Sequence, residues 1–132
     1  MKGYQELVTE ANAVITTITV AEAAAHLGSD EILFIDLRGD AELLHTGIIP
    51  GALHVQRGML ELIIDPASPY YNLVFGSGKT FIFYCGSGGR SALAAQRAQE
   101  MGLERVVRMG GGLKAWKEAG YALEPWAPRT HR

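Results

Sequence analysis

An α/β domain with a central parallel sheet and helices on both of its faces is the fold class that this sequence predicts, on three observations. Short apolar runs alternate with helical patterns along the chain. The strongest runs, "EILFID" (31–36) and "TFIFYC" (80–85), are continuous rather than alternating, as strands covered on both sides are. The helical patterns between the runs carry their own start and stop signals, so the units read as strand followed by helix. With 132 residues and 14.3 kDa, the chain is the size of one domain, taken here as 1–132 with a loosely held tail from about Pro125.

Taken in order, "MKGYQELVTEAN" has no apolar segment and carries Glu6 and Glu10, so it does not read as a secretory signal. A cytoplasmic location is the default expectation. "ITTI" (15–18) is the first strand candidate. Thr19 and Glu22 then have capping-box spacing ahead of "VAEAAAHL", which Gly28 closes. "EILFID" ends at Asp36, and "GDAELLHTG" forms a short helix before "IIPGA". "LHV" (53–55) is a short strand, and "RGMLELIID" (57–65) is a helix stopped by Pro66. "ASPYYNLVFGSGK" is a long connection of the kind that borders a site. "TFIFYC" is the central strand; a helix over Ser91–Met101 follows, capped by Gly102, then the strand "ERVVRM" and the helix "LKAWKEA", ended by Gly120.

Composition excludes several classes. A net charge of −2 with 20% charged residues gives no reason to expect nucleic acid or a membrane surface as partner. Uncharged stretches such as 11–21 are too short to span a bilayer. Of four histidines, His26, His45, His54 and His131, none has metal-ligand spacing with another, so neither a metal site nor a Cys-His protease pair is expected. The single cysteine, Cys85, rules out an internal disulfide framework and leaves a buried inert thiol, an intermolecular link or a reactive nucleophile.

Cys85 sits where the central strand meets "GSGGRS". In parallel sheets ligands gather at the carboxyl ends of strands, near the point where strand order reverses. Three glycines, Gly86, Gly88 and Gly89, permit a tight loop with its N–H groups turned inward, and the helix beginning near Ser91 adds a positive dipole end. A thiol placed there beside Arg90 is expected to be ionised at neutral pH and nucleophilic. The alternative is a small buried hydrophobe at a strand end.

These segments resemble the rhodanese-like sulfurtransferases, a likeness carried by "TVAEAAAHL", "FIDLR", "GIIPGALHV", "YCGSGGRSALAA" and "GGLKAWKEAGY" in that order. The resemblance implies the rhodanese fold and a nucleophile, Cys85, at the base of a loop closed by Arg90. It further implies that the amides of Gly86, Ser87, Gly88, Gly89, Arg90 and Ser91 cradle the anion, and that sulfur passes through a persulfide from a small donor such as thiosulfate to cyanide, a thiol or a protein acceptor. No metal or organic cofactor is implied. Ile48 stands where members of the family commonly carry histidine, a change of packing more than of chemistry. Cysteine-dependent phosphatases and arsenate reductases, the competing class, have five residues between Cys and Arg; here four intervene, a ring better sized for sulfur than for a phosphoryl group. A sulfur relay or binding module would look the same in sequence.

Other features receive structural readings. Asp36 and Arg38 are expected to form an ion pair that fixes the loop, and Arg57 is a candidate second anion-steering charge or a solvated arginine at a helix start. His54 is expected to be a hydrogen-bonded core histidine and Trp116 to pack on the sheet. "FGSGKT" (75–80) has Leu73 where a P-loop needs its first glycine and a strand where it needs a helix. "GGG" (110–112) completes no dinucleotide fingerprint and is expected to make a turn that leaves room for substrate.

Overall fold

A computed structural model describes residues 1–128. Five strands, β1 (Thr17–Ile18), β2 (Ile32–Asp36), β3 (Leu53–His54), β4 (Thr80–Tyr84) and β5 (Val106–Met109), form one sheet in the order β1-β5-β4-β2-β3, with every pair parallel. The predicted parallel sheet is therefore present, and β4 is its central strand. Chain order reverses between β2 and β4, so the loop after Tyr84 leaves the sheet at the switch point.

Six α-helices accompany the strands: α1 (Tyr4–Val14), α2 (Val20–Ala24), α3 (Asp40–Thr46), α4 (Leu60–Ile64), α5 (Gly89–Glu100) and α6 (Gly112–Glu118). Alternation along the strands divides the core into two layers. Ile35, Phe81, Phe83 and Val106 face α4 and α5, where Leu60, Ala94, Ala95 and Ala98 are buried. Phe34, Ile82, Tyr84 and Met109 face α2 and α6, where Ala23, Leu113 and Trp116 are buried. Helices thus cover both faces, and the Trp116 ring lies against the sheet edge-on to Phe34, with Nε1 donating to the Ala122 carbonyl. The Thr19–Glu22 capping box forms with both of its hydrogen bonds.

Several elements depart from the expectation. α1 had no counterpart in the sequence reading, since only Ala11 of its residues is buried and no apolar stripe announces it. α5 starts at Gly89, two residues before Ser91, because glycine at 89 does not bar helical backbone and Gly88 takes the turn at φ 139°. The helix expected over 57–65 begins with a 3₁₀ turn, Arg57–Met59. The long connection holds a 3₁₀ turn, Leu73–Gly76, and ends where the Thr80 N–H meets the Glu31 carbonyl. That junction is the amino end of the sheet, so the connection, with the P-loop lookalike in it, runs away from Cys85. Just before the expected tail from Pro125, Glu124 bridges to Ile48, and within it Trp126 stacks edge-on against His54; residues 129–132 of that tail lie outside the described residues.

Candidate active site

The Cys85 loop is held from three sides. Cys85 is 1% exposed, and the Gly88 N–H donates to its sulfur at 3.2 Å. Gly88 reaches this position through its positive φ, which side chains rarely adopt. Because the Ala92 N–H is bonded to the Gly88 carbonyl, the amides of Gly89, Arg90 and Ser91 fall in the first turn and have no intrahelical acceptor. The Ser91 hydroxyl donates to the Gly88 carbonyl, so its side chain braces the loop. Ser87 is exposed at the loop tip. One N–H is bonded to the buried sulfur at the start of a helix whose first-turn amides lack intrahelical acceptors, an arrangement that favours negative charge there.

α6 supports the loop from beneath, with the Leu113 N–H donating to the Cys85 carbonyl at 2.8 Å and the Lys114 N–H to the Gly86 carbonyl at 3.0 Å. This close approach needs Gly112, whose φ is 62° and where a Cβ would fall 2.6 Å from the Cys85 carbonyl oxygen. The glycine triplet therefore makes room for backbone, where the sequence had suggested room for substrate. On the opposite side, α1 lays Tyr4 over the loop, its hydroxyl at the place a side chain on residue 89 would occupy.

Arg90 and Glu42 form a two-pronged ion pair at 2.8 and 2.9 Å. The Arg90 guanidinium holds the Glu42 carboxyl well below the usual range, at about 2, and Glu42 in turn raises Arg90. Arg90 lies at the loop's end as expected, yet its charge is largely met by Glu42, a residue to which sequence reading assigned no role. A carboxylate at the third position of a helix is an ordinary N-terminal residue in sequence; only the fold brings it opposite Arg90.

Asp36 and Arg38 form a buried ion pair at 2.8 Å. Arg38 also donates to the Thr46 hydroxyl and the Gly47 carbonyl, which ties the end of β2 to the end of α3, the helix that carries Glu42. The pair thus anchors to the sheet the helix that carries Glu42. The Tyr84 hydroxyl accepts from the Ile49 N–H, and burial followed by the neighbouring Asp36 keeps it protonated far above its ordinary range. The His54 Nε2 donates to the Arg38 carbonyl at 2.6 Å, a structural use matching its expected role. Arg57 gives its guanidinium to Glu61 at 3.0 Å, one turn along the chain, so its charge is shared with that carboxylate.

Sequence reading also missed Arg108. It lies on β5 opposite Phe83, emerges on the same face as Val106, and its Nη1 donates to the Gly88 carbonyl at 2.9 Å. A charged residue inside the apolar run "ERVVRM" was the available signal. Beside the loop, between α3 and α6, a cleft of about 450 Å³ is lined by Glu42, His45, Gly86, Lys114 and Lys117 among others.

Comparison with known proteins places this geometry. The rhodanese-like domain profile matches residues 19–119. A structure from Rhodopseudomonas palustris, described as a protein of unknown function and possible tyrosine phosphatase, superposes with a TM-score of 0.91 at 44% identity, covering 94% of this chain and 96% of its own. The Bacillus subtilis protein YtwF is 31% identical over 78% of this chain and 91% of its own length. An Allochromatium vinosum sulfurtransferase is 27% identical over 72% of this chain and 80% of its own. The chain spans 58% of the length of a matching Synechocystis protein.

Proposed function

Because this chain belongs to the rhodanese-like domain family, we propose that it is a sulfurtransferase working through a persulfide on Cys85. The observation that carries the proposal is the buried sulfur of Cys85 receiving the Gly88 N–H at the base of a four-residue loop that opens a helix. In the first half-reaction the Cys85 thiolate attacks the outer sulfur of a sulfane donor such as thiosulfate. A bond forms between Sγ and that sulfur, the donor's sulfur–sulfur bond breaks, and sulfite leaves with the electron pair. The terminal persulfide sulfur carries the negative charge, and the amides of Gly88, Gly89, Arg90 and Ser91 stabilise it in this reading. In the second half-reaction an acceptor, cyanide or a thiolate, attacks the terminal sulfur and returns the Cys85 thiolate.

No second cysteine exists in the chain to resolve the persulfide, so an external nucleophile must take the sulfur. Ping-pong kinetics follow. Small sulfur donors and acceptors are the proposed partners, with a protein acceptor as the alternative that turns the domain into a sulfur relay. The decisive experiment is the intact mass of the reduced protein after brief exposure to thiosulfate, with sulfite release measured in parallel. The expected result is a gain of one sulfur atom, reversed by cyanide and absent in Cys85→Ser. Sulfur gained by the Ser variant would remove Cys85 from the mechanism.

A phosphatase reading is favoured by one finding, the description of the R. palustris relative. Against it stands the loop, which has only Gly86, Ser87, Gly88 and Gly89 between Cys85 and Arg90 and so offers a smaller ring of amides. Turnover of an aryl phosphate, lost in Cys85→Ser, together with no sulfur gain from thiosulfate, would establish the phosphatase instead.

A further inference from the structure

Three arginines surround the Cys85 loop, and they differ in what compensates them. Arg38 is matched by Asp36 and Arg90 by Glu42. Arg108 has no carboxylate partner among the described residues. Its Nη1 is bonded to the Gly88 carbonyl, while its Nε is buried with no hydrogen-bond partner. Burial works against the charge of Arg108, and Cys85 is the group that works in its favour. A half-buried cation with an orphaned donor is costly unless an anion sits nearby.

Among the described residues, the group whose negative charge favours that of Arg108 is the sulfur of Cys85. Gly88 is the link: its carbonyl is held by Arg108, and its N–H points at Sγ. The other charged and titratable groups around the sulfur are accounted for by their own partners or places. Glu42 on α3 and Arg90 on α5 neutralise each other, Asp36 and Arg38 do so at the end of β2, His45 on α3 and Lys114 and Lys117 on α6 are exposed to solvent along the cleft, and Tyr4 on α1 lies against Gly89.

We propose that Arg108 is the positioning cation of this site, holding Gly88 in the conformation that presents its N–H to sulfur and supplying the uncompensated positive charge opposite Cys85. Arg90, the arginine at the loop's end, is a structural partner of Glu42 in this assignment. The inference rests on the reading that the protein acts through an anionic Cys85.

The test is the rate of Cys85 alkylation by iodoacetamide as a function of pH, in the full chain and without any sulfur donor. Arg108→Gln is expected to move the profile to higher pH by roughly one unit, seen as an alkylation rate about tenfold slower on the acid limb of the wild-type profile. Arg108→Lys, which keeps the charge, is expected to stay close to the wild-type profile. Arg97→Gln removes a cation of α5 that is paired with Glu61 and Glu100 and is expected to leave the profile in place. An unmoved profile in a folded Arg108→Gln protein, or an equal shift in Arg97→Gln, would overturn the assignment. Should Arg108→Gln not fold, the lysine variant decides: a profile displaced to higher pH despite the retained charge refutes the proposal. Alkylation needs no sulfur transfer, so a wild-type protein that gains no sulfur from thiosulfate would defeat the proposed function and leave this result standing.

Discussion

At the residue scale, the site is a set of charges sorted by who neutralises whom. Glu42 carries the clearest consequence for pH. Its folded-state pKa is depressed to about 2 by Arg90, while in the unfolded chain it titrates near the ordinary 4.5. A depressed carboxylate stabilises the fold above its unfolded value and loses that contribution as pH falls through the folded one. The expected outcome is that thermal stability declines between pH 4.5 and 2, and that Glu42→Gln flattens this part of the curve. Both Glu42 and Arg90 are about two-fifths exposed, so solvent screening keeps the effect small. A variant whose acid limb matches the wild type would show that other carboxylates govern it.

At the element scale, the loop is shaped by what the helices around it permit. α6 reaches the Cys85 and Gly86 carbonyls only because residue 112 lacks a side chain and accepts a positive φ. Gly112→Ala adds a methyl group into backbone that cannot retreat. The left-handed conformation alone costs about 1–2 kcal/mol, and the collision adds to it. The expected result is a lower urea midpoint by at least that equivalent, accompanied by slower alkylation of Cys85 because the loop is displaced. A destabilised protein with an unchanged alkylation rate would mean that α6 does not set the loop's shape. α1 presents the converse case, a helix whose residues are mostly exposed yet whose Tyr4 lies on the loop. Nothing periodic in "YQELVTEANAV" distinguishes it from a polar linker, since its stability comes from the surface of α5 that it covers.

At the scale of the whole molecule, one sheet is buried on both faces by two helical layers that meet through the same five strands. Such a core is expected to melt as a unit. Urea unfolding followed by far-ultraviolet circular dichroism and by fluorescence of Trp116, which is fully buried beside Phe34, should therefore give coincident transitions. Separate midpoints would mean that the layer on α2 and α6 opens before the rest.

The strand–helix alternation, the central place of "TFIFYC" and the strand-to-loop-to-helix setting of Cys85 could all be read from the chain, because each is written in local patterns of apolar, glycine and capping residues. Asp36 and Arg38 could be paired in advance because they lie two residues apart at a strand end. The partners of the two arginines at the loop could not. Glu42 lies 48 residues from Arg90 and Arg108 lies 20 from Gly88, so neither contact leaves a periodic trace. The sequence by itself determined which thiol is the candidate nucleophile and that a glycine-rich loop leads from it into a helix. Only the tertiary structure decided that Arg90 meets Glu42 and that Arg108 meets the Gly88 carbonyl, because charge compensation depends on distances across the sheet that strand order and crossover set, and no local pattern encodes them.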